Sequence, residues 1–308
     1  MRSLRNLMYK ILRFSGLPFV FREVLQRKKV SIVMLHDPAP DMADRTFRFL
    51  ARHYNIISLD DFLEARRSGN PGRLPDKALI ITLDDGHLGN YRLLPVIKAL
   101  NIPVTIFLCA GIIDTRRQYW FQYQHPGLSK PALKQMSNRE RLEALAKAGF
   151  RPEHEWAEPR ALSATQIREM APYVNFQGHT VFHPCLPKCN DAEAFHEIAG
   201  CREILEQNFH LKINALAYPN GDYSERDIEL LKQAGYTCAI TVDYGFNTIY
   251  TDPYRLRRLS LDDADNADAV CVKASGAWTY LLNLFGKRRA TGLTDAIATP
   301  ASYQLSAP

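Results

Sequence analysis

At 308 residues, with 46% hydrophobic and 23% charged side chains, the chain can bury a substantial core and is not a disordered polypeptide. Its net charge of +6 is unevenly placed: residues 1–30 carry Arg2, Arg5, Lys10, Arg13, Arg22, Arg27, Lys28 and Lys29 against Glu23 alone. The remainder is close to neutral, without the basic stripe of a nucleic-acid-binding module, so no nucleic-acid partner is expected.

Leu4, Leu7, Met8, Ile11 and Leu12 recur at helical spacing between Arg5, Lys10 and Arg13, and the pattern breaks at Gly16-Leu17-Pro18. This basic amphipathic helix has two readings: contact with an anionic membrane surface through residues 1–29, or packing across one end of the body that follows. From Val30 the chain alternates. Strands are predicted at Val30–Leu35, Asn55–Ser58, Ala78–Leu83, Val104–Leu108, Val174–Gln177, Ala215–Tyr218, Thr237–Val242 and Leu256–Leu261. Helices are predicted around Arg45–His53, from Leu59 with Asp60 as N-cap, and over Tyr91–Leu100, Arg139–Ala148, Thr165–Met170, Ala192–Asn208 and Ser224–Gly235. Repeated βα units argue for one parallel α/β domain over residues 30–285, open or closed into a barrel. Residues 286–308 lose periodicity and read as a disordered tail.

The six cysteines, Cys109, Cys185, Cys189, Cys201, Cys238 and Cys271, lack the spacing of a disulfide scaffold and sit mostly in apolar contexts, so reduced, buried thiols are expected. No apolar run approaches the about 20 residues of a transmembrane helix, and the N-terminus has neither the apolar core nor the cleavage site of a secretory signal. The expected location is the cytoplasm, peripheral to the inner membrane surface.

The chemistry concentrates in two places. Leu79-Ile80-Ile81-Thr82-Leu83 is a buried strand that ends in Asp84-Asp85-Gly86, and the carboxyl ends of parallel strands are where such sheets place their sites. Adjacent aspartates face different ways, so one can bind a cation while the other handles a proton. His179-Thr180-Val181-Phe182-His183 follows another strand, and Gly178 and Pro184 favour a turn over a helix. Two histidines and a carboxylate suit a catalytic divalent metal, expected to be zinc, with cobalt, nickel or iron also accepted. Thr180 stands where zincins carry glutamate, so the base must come from elsewhere.

These residues resemble a known family. Thr82-Leu83-Asp84-Asp85-Gly86, His179-Thr180-Val181-Phe182-His183 and, in part, Leu216-Ala217-Tyr218-Pro219-Asn220-Gly221 match the three motifs of NodB-type polysaccharide deacetylases, carbohydrate esterase family four, over roughly residues 30–262. The resemblance implies a distorted (β/α) barrel, and metal-dependent hydrolysis of N-acetyl or O-acetyl groups on a glycan or lipid-linked saccharide. It implies that Asp85, His179 and His183 bind one divalent metal and that Asp84 is the general base. The Asn220 backbone N–H would help to hold the oxyanion, with Pro219 fixing its direction. Leu216 stands at the family's motif-three arginine, and the late L-x-H motif that supplies the general acid has no match. His36, ending the first strand, is the candidate acid, and His87 is second. Trp120, Tyr218, Asp222 and Arg258 are candidate substrate contacts, and Arg258, on the last strand, is also a candidate to replace the missing groups electrostatically. It cannot itself deliver a proton.

Two rival readings follow. A catalytically silent metal- and carbohydrate-binding protein would explain the missing acid and arginine, but not the retained Asp84. A structural metal site on His183, Cys185 and Cys189 would make the cysteines, rather than Asp85, essential.

Overall fold

Eight strands form among the described residues, and the mainly apolar runs Val30–Leu35, Ala78–Leu83 and Val104–Leu108 among them are buried on both faces. The eight are β1 (Val30–Leu35), β2 (Asn55–Ile56), β3 (Ala78–Leu83), β4 (Val104–Leu108), β5 (Val174–Gly178), β6 (Ala215–Ala217), β7 (Cys238–Tyr244) and β8 (Leu256–Ser260), and every pairing among them is parallel. The computed structural model describes residues 2–284; the tail expected over 286–308 lies outside the described residues.

The strand order runs β1-β8-β7-β6-β5-β4-β3, and β3 pairs back onto β1 from Val30↔Ala78 to Leu35↔Leu83, closing a barrel. β2 stays outside that ring. It pairs with Ala78 and Leu79 at the start of β3, and β4 joins β3 further along, from Ile81. The expected distorted (β/α) barrel is therefore the observed one, with seven strands in the ring.

Strand alternation divides the interior into two layers. Val30, Ile32, Ala78, Ile80, Phe107, Ala215, Ala217, Cys238, Ile240 and Leu256 form one apolar cluster with Ile57, Leu59 and Phe62. The last three precede or belong to the helix Leu59–Arg67, which thereby plugs the amino end of the barrel. Towards the carboxyl end the interior turns polar, with Thr82, Thr105, Gln177, Thr241 and Arg258 all buried. The plug helix is capped by Ser58 rather than by Asp60. Ser58 Oγ accepts from the Asp61 N–H at 3.0 Å while the Asp61 carboxylate accepts from the Ser58 N–H at 2.9 Å, a reciprocal arrangement that needs its acid at 61.

The N-terminal helix, Arg2–Phe14, lies against the outer helices Ala267–Ala274 and Ala277–Leu284 instead of crossing an end of the barrel. Tyr9 packs edge-on to Trp278 at 4.7 Å, Phe21 packs edge-on to Tyr280 at 5.2 Å, and Arg13 pairs with Asp268 at 2.6 Å. Gly16 ends the helix with a φ of 78°, and Pro18 opens the short turn of helix that follows.

Because Phe62 fills the barrel's floor with no exposure to solvent, Phe62→Ala should cost about 3–5 kcal/mol in urea unfolding. Asp60→Ala, which removes no cap, should cost less than about 0.5 kcal/mol in the same measurement.

Candidate active site

Three turns, leaving β3, β5 and β6, carry the site, and all three are held in costly backbone conformations. Among the described residues, eight non-glycine residues have positive φ, and Asp85 (74°), Thr180 (65°), His183 (57°) and Asn220 (57°) lie in these turns. Thr180 is β-branched, and such a residue stays there only where its surroundings over-determine it. Those surroundings are visible. Glu197 Oε2, on the helix Asp191–Phe209, accepts from the Val181 and Phe182 N–H groups, both at 2.8 Å. Thr180 Oγ1 accepts from the His183 N–H at 3.0 Å, and the buried Trp120 indole donates to the His183 carbonyl at 2.7 Å. Burial pushes the Glu197 carboxyl up to about 7 despite its two N–H donors. Beside Asp85, Gly86 has a φ of 74°, and a Cβ there would lie 2.6 Å from Leu108 Cδ2, so a side chain would be strained and would force Leu108 to shift.

These turns bring Asp85, His179 and His183 together, with one ligand atom from each within 4.8 Å of the others and all three residues buried. Asp85 Oδ1 faces His179 Nε2 at 3.4 Å and His183 Nε2 at 3.5 Å, and it has no hydrogen-bond partner. A tetrahedral cation with bonds of about 2.0–2.1 Å separates its ligand atoms by about 3.3–3.4 Å. The residues therefore fit such a cation, which would satisfy the orphaned oxygen. His179 Nδ1 is 2.7 Å from the Ala217 carbonyl, so it carries the proton and leaves Nε2 free as a ligand. Burial lowers the pKa of His183 to about 3, keeping its ring neutral and able to coordinate. Burial raises the Asp85 carboxyl, but His179 and His87 outweigh it and hold the group well below the usual range. His87 Nε2 lies 3.0 Å from the other carboxylate oxygen, and the buried Tyr119 hydroxyl donates to the Asp85 carbonyl at 2.9 Å. His87 therefore braces Asp85. Cys185 and Cys189 join no metal-ligating group among the described residues, and this removes the structural-site reading of those cysteines.

Asp84 faces the barrel interior. Arg258 Nη1 donates to its Oδ1 at 2.7 Å, and Arg258 Nε donates to the Thr241 carbonyl at 2.7 Å. The register between β7 and β8 slips in the interval containing Thr241, a bulge that leaves this carbonyl to the guanidinium. Burial raises the Asp84 carboxyl, and Arg258, His179 and His36 together bring it below its ordinary value. Arg258 was expected at the substrate; its side chain is instead fully buried behind Asp84. Leu216 packs in the outer cluster while Ala215 and Ala217 face inward, so an arginine at 216 would point away from the site.

His36 follows β1, and its backbone is clamped on both sides. Its N–H donates to Asp263 Oδ1 at 2.9 Å, and its carbonyl accepts from Asn90 Nδ2 at 2.8 Å. The ring is half-buried at the same barrel end as Asp84. On the turn after β6, Pro219 is buried, and the Gly221 and Asp222 N–H groups are tied to Tyr218 and Pro219 carbonyls at 2.8 and 3.1 Å. The Asn220 N–H is not among those turn bonds, and its side-chain amide lies 3.5 Å from Cys185 Sγ.

Two expected substrate contacts are corrected. Trp120 is buried beneath His183, and Tyr218 has no exposure, stacking on Tyr223 and donating to the Tyr254 carbonyl at 3.1 Å. Neither face is open to a sugar. Asp222 is exposed at the turn. Glu197, Tyr119 and Asn90 were not singled out from sequence; each acts through a backbone group on a distant segment, which leaves no local pattern to read.

The sequence profile of the polysaccharide deacetylase family matches residues 72–239, more than half of the chain, and the chain belongs to that family. It is 21% identical over 196 residues to YxkH of Bacillus subtilis, covering 63% of this chain and 55% of that protein. It is 24% identical over 210 residues to the poly-β-1,6-N-acetyl-D-glucosamine N-deacetylase of Escherichia coli K12, covering 62% of this chain and 29% of that enzyme. The chain thus spans about half or less of the curated relatives it matches. Among solved structures, Streptococcus pyogenes deacetylase PplD, in complex with acetate, shares the fold with a TM-score of 0.58. The match covers 80% of this chain and 98% of that one at 17% identity.

Two measurements test this construction. Arg258→Met leaves a buried carboxylate without its cation and should cost about 3–5 kcal/mol by chemical unfolding, with a much smaller loss in an Asp84→Asn background. Glu197→Ala should weaken divalent-metal affinity about 10–100-fold in calorimetric titration, since it frees the turn that holds both histidines.

Proposed function

We propose that this chain hydrolyses N-acetyl groups on a glycan, releasing acetate and a free amine, with a divalent cation held by Asp85, His179 and His183. The observation that carries this reading is the orphaned Asp85 Oδ1 facing two imidazole nitrogens, next to a buried carboxylate that Arg258 keeps ionised. When bound, a divalent cation lowers the pKa of water from 15.7 to about 7 and polarises a carbonyl oxygen. Asp84 is the group that takes the proton of the attacking water, and Arg258 keeps that carboxylate oriented and charged. The Asn220 N–H, which makes none of the backbone bonds of its turn, is the donor assigned to the oxygen on which negative charge develops, a contact of a kind worth about 3–4 kcal/mol in the transition state. His36 delivers the proton to the departing nitrogen. Its clamped backbone supports this role, because the ring alone is left to move or donate.

The E. coli relative supports a poly-N-acetylglucosamine or a related N-acetylhexosamine glycan as the substrate, and a lipid-linked saccharide is our extension of it. Zinc is the first cation to test, followed by cobalt, nickel and iron. A reducing compartment is supported by the cysteines, all six of which are unpaired; the cytoplasm is our assignment.

Acetate release from β-1,6- and β-1,4-linked N-acetylglucosamine oligomers by metal-loaded protein is the direct test. Asp84→Asn should lower kcat by about a thousandfold or more while metal content stays unchanged, and His36→Ala should lower it about a hundredfold. Chelation should abolish turnover, and added zinc should restore it. No acetate from the parent with any of the four cations, or full activity in Asp84→Asn, would sink the enzyme reading.

A further inference from the structure

The helix Arg2–Phe14 is bound to the body by one side only. Tyr9 is buried and Leu12 is packed against the core, while Leu4, Leu7, Ile11 and Phe14 are 53–73% exposed and Met8 is 44% exposed. These five positions follow helical spacing, so they form one stripe along the helix's outer side. Phe19, Val20 and Val24, in the next helical turns, are 49–67% exposed. No other stretch of the described residues exposes large apolar side chains at this density. A monomeric soluble surface rarely leaves such a cluster uncovered.

The charges around the stripe identify what covers it. Arg5 and Lys10 are exposed on the same helix and no acid occurs before Glu23, while Arg27 and Lys28, exposed on the loop before β1, are paired with Asp76. Glu23 is itself tied to Arg22 and Lys77. Arg13 and Arg22 guanidinium groups lie 5.5 and 5.6 Å from the Phe14 and Phe19 ring centres. A second copy of this surface would bring like charges together. The chain beyond the described residues, with Lys287, Arg288 and Arg289 against Asp295, adds more positive charge than negative. Bilayer headgroups of anionic phospholipid supply both the apolar boundary and the opposite charge. No helix of the described residues is long and apolar enough to cross the membrane.

We propose that the outer side of residues 4–24 is a docking surface for an anionic phospholipid bilayer, on which the protein lies without spanning. The Arg13–Asp268 pair joins the C-terminal end of the N-terminal helix to the start of the helix that follows β8. That end is also where the candidate active site opens. Docking therefore presents the mouth of the barrel near the headgroup layer, where a lipid-linked glycan would lie. The docking itself does not depend on the deacetylase reading.

The test is co-sedimentation of the full chain with large unilamellar vesicles. Wild-type protein should bind vesicles containing one-third phosphatidylglycerol about tenfold or more tightly than pure phosphatidylcholine, and this preference should shrink as NaCl rises from about 0.1 to 0.5 M. Leu7→Glu/Ile11→Glu should lose binding to both vesicle types. Arg5→Glu/Lys10→Glu should lose the preference for anionic lipid. Both pairs are exposed, so circular dichroism and unfolding midpoints should match wild type. Wild-type protein that stays in the supernatant with anionic vesicles overturns the proposal, and this arm needs no variant. So does a dimer in light scattering that Leu7→Glu/Ile11→Glu dissolves while vesicle binding is absent throughout.

Discussion

Asp84, the base of the proposed reaction, has to be charged for that role, yet it is buried, and taking a lone carboxylate out of water costs several kcal/mol. Arg258 offsets that cost at 2.7 Å from a position 174 residues away. The two groups sit directly after β3 and on β8, the strands on either side of β1, so they meet only when β1 pairs with both and the ring closes. The charge state of Asp84 is thus tied to barrel closure. The β7–β8 bulge contributes as well, because it provides the Thr241 carbonyl that fixes the guanidinium's second direction.

Around this pair, strain and its compensation are kept local. The ligand turns hold Asp85, Thr180, His183 and Asn220 at positive φ, a cost of about 1–2 kcal/mol per residue for ordinary L-residues. The groups that hold them there come from elsewhere: Glu197 from a surface helix, Trp120 and Tyr119 from the long β4–β5 connection. That connection looks irregular, and its function is to brace backbone from outside the barrel. The apolar floor plugged by Phe62 adds a close-packed layer beneath the polar one.

Much of this was readable along the chain. The six-residue run that ends in Asp84-Asp85-Gly86 and the shorter strand that ends in His179-Thr180-Val181-Phe182-His183 carry their own location, because a buried parallel strand is locally distinctive and its carboxyl end is the natural place for polar groups. The inward direction of Arg258 was legible too, since Leu256, two residues earlier, belongs to the inner face. Burial behind Asp84 was not, and neither were the roles of Trp120 and Tyr218. Aromatic residues look alike in sequence whether they stack on a sugar or pack under a turn. The N-cap expected at Asp60 lies instead at Ser58, because the helix starts at Leu59 and the register of its first turn decides which side chain meets a free N–H.

Sequence by itself determined the alternation of strands and helices, the placement of paired carboxylates and histidines at strand ends, and the amphipathic spacing of residues 4–14. These are properties of short segments, written in periods of two and 3.6 residues. Tertiary structure decided which groups meet. It placed Arg258 on Asp84 in place of any residue at 216, set His87 and Tyr119 on Asp85, and turned the Leu4–Phe14 stripe outward instead of across the barrel's end. Each of these depends on strand order, inward parity or which side of a helix finds a neighbour, and such relations between distant segments exist only after the chain has closed on itself.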